Sequence, residues 1–146
     1  YIRGHTSWNE GLAEAVAREG VRRWFAHTGR PHEARDYETR LEKLAQAREA
    51  IDGTAAALGK IYDGSAADTH KRAAKSRELA KLRRKLMALN WSWGGGLESW
   101  INGPVNNALL NSFTTYEREV PKFTALLEEC GGDFREFWRR LKELEP

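Results

Sequence analysis

Apolar residues return every three or four positions along this chain, and that period belongs to helices. From Leu41 the seam runs through Leu44, Ile51, Ala55 and Leu58 to Tyr62, interrupted at Arg48. A second seam runs Leu79, Leu82, Leu86 and Leu89. The turn Asp63-Gly64-Ser65 lies between them, so the two seams predict a long antiparallel helical hairpin. No β-branched run of strand length is present. The reading is all-α: a helical bundle in one domain over 1–146, with the hairpin as an arm over about 32–90.

Turn and capping residues divide the rest. A first helix is expected from about Ser7, its N-cap, to His27, with Gly29 just past its end. Pro31 opens the long second helix, which runs to about Asp63, and Asp68 or Thr69 caps the third, which ends near Asn90. The glycine- and tryptophan-rich stretch 91–96 breaks the pattern. Asn102-Gly103-Pro104 starts another helix, running through Ala108 and Leu109 towards Tyr116. Pro121 marks the next, with Val120, Phe123, Leu126, Leu127 and Cys130 on one stripe. Gly131-Gly132 ends it, and Asp133 caps a last helix carrying Phe134, Phe137, Trp138, Leu141 and Leu144. The bundle is expected to combine the first helix with residues 102–146.

Composition removes several function classes. Leu, Ile, Val and Phe make up only 28 of 146 residues, but a net charge of +3 and six Trp favour a packed, if thin, core over disorder. No apolar run approaches the roughly 20 residues of a membrane span. The single cysteine, Cys130, excludes an internal disulfide framework and Cys-rich zinc modules. Dinucleotide and P-loop glycine signatures are missing. The charge is concentrated: residues 70–89 hold eight Lys and Arg against Glu78 alone. No aromatic interleaves with those cations, so the run reads as a solvated helix face, and no nucleic acid is expected as a partner. The rival reading is a non-enzymatic binding module that uses this basic helix on nucleic acid or anionic surfaces.

The chemistry-bearing stretch is Trp8-Asn9-Glu10-Gly11-Leu12-Ala13. On a helix Glu10 aligns with Ala13, Ala17, Val21 and Trp24, an apolar, small-sided face that another helix can approach closely. A carboxylate heading a buried stripe needs a cation, a metal or several donors. An acid in the first turn of a helix also has a simpler role, complementing the helix dipole.

Residues 8–13 resemble the Asn-Glu-x-x-Ala segment of gluzincin metallopeptidases, in which the Glu is the third zinc ligand. Along nearly its whole length the chain is similar to a bacterial family of zinc-aminopeptidase-like proteins. The matching stretches are Tyr1-Ile2-Arg3-Gly4, Trp8-Asn9-Glu10, Gly20-Val21-Arg22-Arg23-Trp24, Trp93-Gly94-Gly95 and Pro104-Val105-Asn106-Asn107-Ala108-Leu109. Thr115-Tyr116, Val120-Pro121-Lys122-Phe123 and Gly131-Gly132-Asp133 complete the set. The resemblance implies zinc as cofactor, a peptide as substrate, and Glu10 as a metal ligand, with Asn9 orienting it or capping the helix. It also implies a His-Glu-x-x-His helix bringing two imidazoles and a general base, placed a few residues ahead of Tyr1. Here His32-Glu33 is the only His-Glu pair, and it lacks the second histidine. The expectation is therefore a C-terminal portion that neither binds zinc tightly nor cleaves peptides alone.

Further candidates follow from the resemblance. Tyr116 is the candidate to stabilise the oxyanion, or else packs near a helix end. Asn106 and Asn107 bind substrate, or else satisfy backbone donors of a first turn. Trp91, Trp93 and Trp100 with Gly94 to Gly96 line a side-chain pocket, or else fill the core beneath a loop.

Overall fold

The computed structural model describes residues 1–89 and 106–144. Its helices are α1 (Thr6–Thr28), α2 (Pro31–Asp63), α3 (Asp68–Ala88), α4 (Asn107–Glu117), α5 (Val120–Glu129) and α6 (Phe134–Leu141). Among the described residues there is no strand, and the fold is all-α. The aromatic stretch 91–100 and the expected helix start at 102–104 lie outside the described residues. The chain divides into two compact units, Tyr1–Ala34 with Thr115–Pro146, and Arg35–Thr114.

In the first unit, α1 starts at Thr6 with His5 as its N-cap rather than Ser7, and no side chain caps it. The earlier start has a local cause. The Asn9 carboxamide accepts from the Ile2 amide at 2.8 Å and donates to the Ile2 carbonyl at 2.7 Å, drawing the N-terminal segment against the first turn. The far end follows the glycine reading: Gly29 adopts φ 65°, and the Arg30 amide returns to the Phe25 carbonyl at 3.1 Å.

The core of this unit joins Trp8 and Ala15 to Val120, Phe123, Leu126 and Leu127 of α5 and to Phe137 and Leu141 of α6. Trp8 meets Phe123 edge-to-face, ring centroids 4.8 Å apart. One turn on, α1 touches the start of α5 so closely that a Cβ on Gly11 would lie 2.7 Å from the Glu119 Cβ. Only glycine permits that approach. As read from the sequence, Pro121 sits in the first turn of α5, and the Asp133 carboxylate caps α6 by accepting from the Arg135 amide at 2.7 Å.

The buried face of α1 corrects the sequence reading. Ala13 and Ala17 are exposed, Val21 is half-buried and Trp24 is 48% exposed. The stripe that Glu10 heads therefore faces outward, and the buried positions are Trp8, Gly11 and Ala15, with Leu12 and Val16 at their edge. Two residues along a helix turn about 200°, so seating Trp8 against Phe123 sends Glu10 to the opposite side.

In the second unit, α2 and α3 contribute Ala47, Ile51, Leu58, Leu82 and Leu86, and α4 adds Leu110 and Phe113. The expected α3 seam holds, with Leu79 and Leu89 packed at its edges. On α2, Ala55 is exposed and Tyr62 is 43% exposed; Thr54 and Ile61 face inward in their place. Steps of three and of four from Ile51 are both helical, so periodicity leaves Thr54 and Ala55 equally placed. Thr54 enters the core at little penalty because its hydroxyl donates to the Ala50 carbonyl at 2.8 Å.

Candidate functional site

Glu10 lies in the second turn of α1, half-buried, and its side chain makes no hydrogen bond or ion pair with the described residues. Asn9 is turned to Ile2 through both amide atoms, so its visible work is to tie down the N-terminal segment rather than to cap the helix. Beside them an open groove of about 470 Å³ runs along α1, lined by Tyr1, Asn9, Leu12, Ala13, Val16, Ala17 and Trp138. Its lining is almost wholly apolar. The small side chains Ala13 and Ala17, one helical turn apart, leave α1 open to close approach on the side where Glu10 stands.

A metal needs more donors than this carboxylate. Among the described residues no three His, Cys, Asp or Glu side chains come together as a metal site. His32 and Glu33 occupy the exposed first turn of α2, as their place after Pro31 implied.

The other candidates fall as follows. The backbone of Tyr116 belongs to the last turn of α4, in the same unit as Glu10, and its side chain lies outside the described residues. Asn106 and Asn107 belong to the second unit and are exposed. The Asn106 carbonyl accepts from the Leu110 amide at 3.2 Å, opening α4. Asn107 donates through Nδ2 to the Tyr62 hydroxyl at 3.4 Å. That hydrogen bond, helped by Lys75, holds the Tyr62 phenol below its usual pKa, against a smaller effect of burial.

Two arginines matter more to this unit than the sequence indicated. Arg18 places Nε 2.8 Å from Glu14 and Nη2 2.7 Å from Glu117, and only 12% of its side chain and 13% of that of Glu117 are exposed. Burial opposes its charge, but the attraction of Glu117 together with Glu14 outweighs it and raises the guanidinium pKa further. The Glu14–Arg18 spacing of four is visible in the sequence; Glu117, 99 residues away, is not. Arg23 pairs with Glu19, donates to the Gly132 carbonyl and lies over the Phe134 ring at 4.5 Å.

Several of the motif stretches in the first unit meet in space. Tyr1-Ile2-Arg3-Gly4 is bound by Asn9, and Trp8 packs on Phe123 beneath Lys122, whose ammonium sits 4.2 Å from the indole centroid. Gly20-Val21-Arg22-Arg23-Trp24 reaches Gly131-Gly132-Asp133 through Arg23. A family described as "Putative aminopeptidase" matches residues 1–146. The chain belongs to that family. No curated protein and no solved structure matches the chain. In this aminopeptidase-family chain these contacts join α1, α5 and α6, and the Glu10 side chain has no hydrogen bond or ion pair among the described residues. No helix among the described residues is long and apolar enough to cross a membrane.

Proposed function

We propose that the chain serves a zinc-dependent aminopeptidase, with Glu10 supplying one metal-ligating carboxylate and residues ahead of Tyr1 in a longer protein supplying the imidazoles and the general base. The observation that carries this reading is an unpartnered, half-buried carboxylate beside an uncovered, small-sided apolar face, in a member of an aminopeptidase family. Catalytic zinc takes three protein ligands, of which Glu10 would be one. In the same reading Tyr116 stabilises the oxyanion, Asn106 and Asn107 contact the substrate, and Asn9 steadies the turn that carries Glu10.

The test compares this chain with a version extended upstream of Tyr1, measuring zinc content and hydrolysis of amino-acid anilides. The chain alone is expected to retain no zinc and to cleave nothing. The extended protein should hold one zinc and cleave, and Glu10→Gln should lower both. Inactivity of a metal-loaded extended protein, or undiminished zinc in its Glu10→Gln variant, overturns the reading.

A further inference from the structure

The basic helix α3 has an outer face that no part of the proposed peptidase chemistry uses. Leu82 and Leu86 point into the core, with Leu79 beside them. Lys71 donates to the Tyr62 carbonyl at 2.8 Å, Lys75 faces the Tyr62 hydroxyl, and Lys81 pairs with Glu78 at 2.7 Å. Arg72, Arg77, Arg83, Arg84 and Lys85 are exposed, and none pairs with an acid among the described residues. Five uncompensated cations on one 21-residue helix form a concentrated positive field.

Their arrangement is as informative as their number. At about 100° per residue, Arg72 and Arg83 fall in one row at the edge of the outer face, and Arg77 and Arg84 in another near its middle, roughly 120° away. Lys85 lies about 80–100° further round, away from both rows. Between the two rows lie Ala73, Ser76 and Ala80, with Met87 towards the C-terminal end, all exposed. The result is a smooth ridge with a row of cations on each side.

A flat anionic membrane would favour large apolar side chains along that ridge, and Met87 is the only one near it. A helix about 10–12 Å across, with cations in two rows, instead fits between the two phosphate strands bordering a major groove about 12 Å wide. The ridge carries no Asn, Gln or Arg to read base edges, so such contact would be independent of sequence. We propose that the outer face of α3 docks on double-stranded DNA through phosphate contacts from Arg72, Arg77, Arg83 and Arg84. The sequence alone favours a solvated face; the two-row placement of unpaired cations is what favours a duplex.

The experiment is fluorescence anisotropy of a labelled 20-base-pair DNA of arbitrary sequence, titrated with the full chain at several salt concentrations. Each phosphate engaged contributes about −0.9 to the slope of log affinity against log salt, so four cations predict a slope of about −3 to −4. The double variant R77A/R84A should bring the slope to about −2 and weaken binding at least about tenfold at low salt. Ala is at least as good a helix former as Arg, so circular dichroism should show undiminished helicity. Arg118→Ala, an exposed cation of the other unit, should change neither quantity. Absence of duplex binding at low salt overturns the proposal. So does a double variant that binds like the parent, or binding to phosphatidylserine vesicles without binding to the duplex.

Discussion

Around α1, α5 and α6 the core is aromatic, with Trp8, Phe123 and Phe137 at its centre and a glycine contact beside them. Between α2 and α3 it is aliphatic, built from Ala47, Ile51, Leu58, Leu82 and Leu86 in a plain seam. Aromatic rings prefer an edge-to-face meeting, so a few large side chains hold one arrangement of their helices. An aliphatic seam holds its helices through many smaller and less directional contacts. Of the stretches on which the resemblance to the family rests, 1–4, 8–10, 20–24, 120–123 and 131–133 lie in and around the first kind of core, and none lies between residues 35 and 90. The hairpin keeps a period and a charged face. Directional contacts are concentrated in the aromatic core, and the hairpin closes on a simple period.

Replacing one buried side chain in each unit tests this most severely. Phe137→Ala should destabilise by about 3–5 kcal/mol and Leu82→Ala by about 2–5 kcal/mol. Hydrogen exchange read by peptide would show the loss concentrated in residues 6–28 and 120–141 for the first, and in residues 43–89 for the second. Uniform acceleration of exchange in both variants would erase the distinction between the units.

The glycines sharpen the contrast at smaller cost. Gly11→Ala brings a methyl against the Glu119 Cβ and backbone, so overpacking should outweigh the gain in helix propensity and leave a net loss of about 1–2 kcal/mol in thermal unfolding. Gly59→Ala meets nothing within 4 Å and should stabilise by about 0.5–1 kcal/mol. The same substitution thus takes opposite signs in the two units. A stabilising Gly11→Ala would mean that α1 and α5 do not meet as closely as described.

The smallest effect is on titration. The Tyr62 phenol loses its proton below its usual value because Asn107, and then Lys75, favour the phenolate. Since the folded value is the lower one, the associated stability appears as pH rises through it and is complete only above about 10, the unfolded value. Asn107→Ala should return the phenol towards that value in an alkaline difference-absorbance titration, while Glu10→Gln should leave it unchanged.

Much of the fold was legible because it is local. The ends of α2 at Pro31 and Asp63, the left-handed Gly29, the Asp133 cap and the α3 seam each depend on residues within a turn or two. The candidate site was less so. Asn9 and Glu10 stood out as a motif, but the motif says nothing about which way the helix is rotated.

What the amino-acid sequence determined by itself is the helical class, most of the boundaries and the concentration of charge on α3, since these follow from short-range periodicity and capping. Tertiary structure alone decided that Trp8 rather than Glu10 faces the core, that Thr54 rather than Ala55 is buried, and that Arg18 meets Glu117. Each of those outcomes is set by a partner on another segment. A helix carries several faces of nearly equal period, and only the surface packed against it selects one.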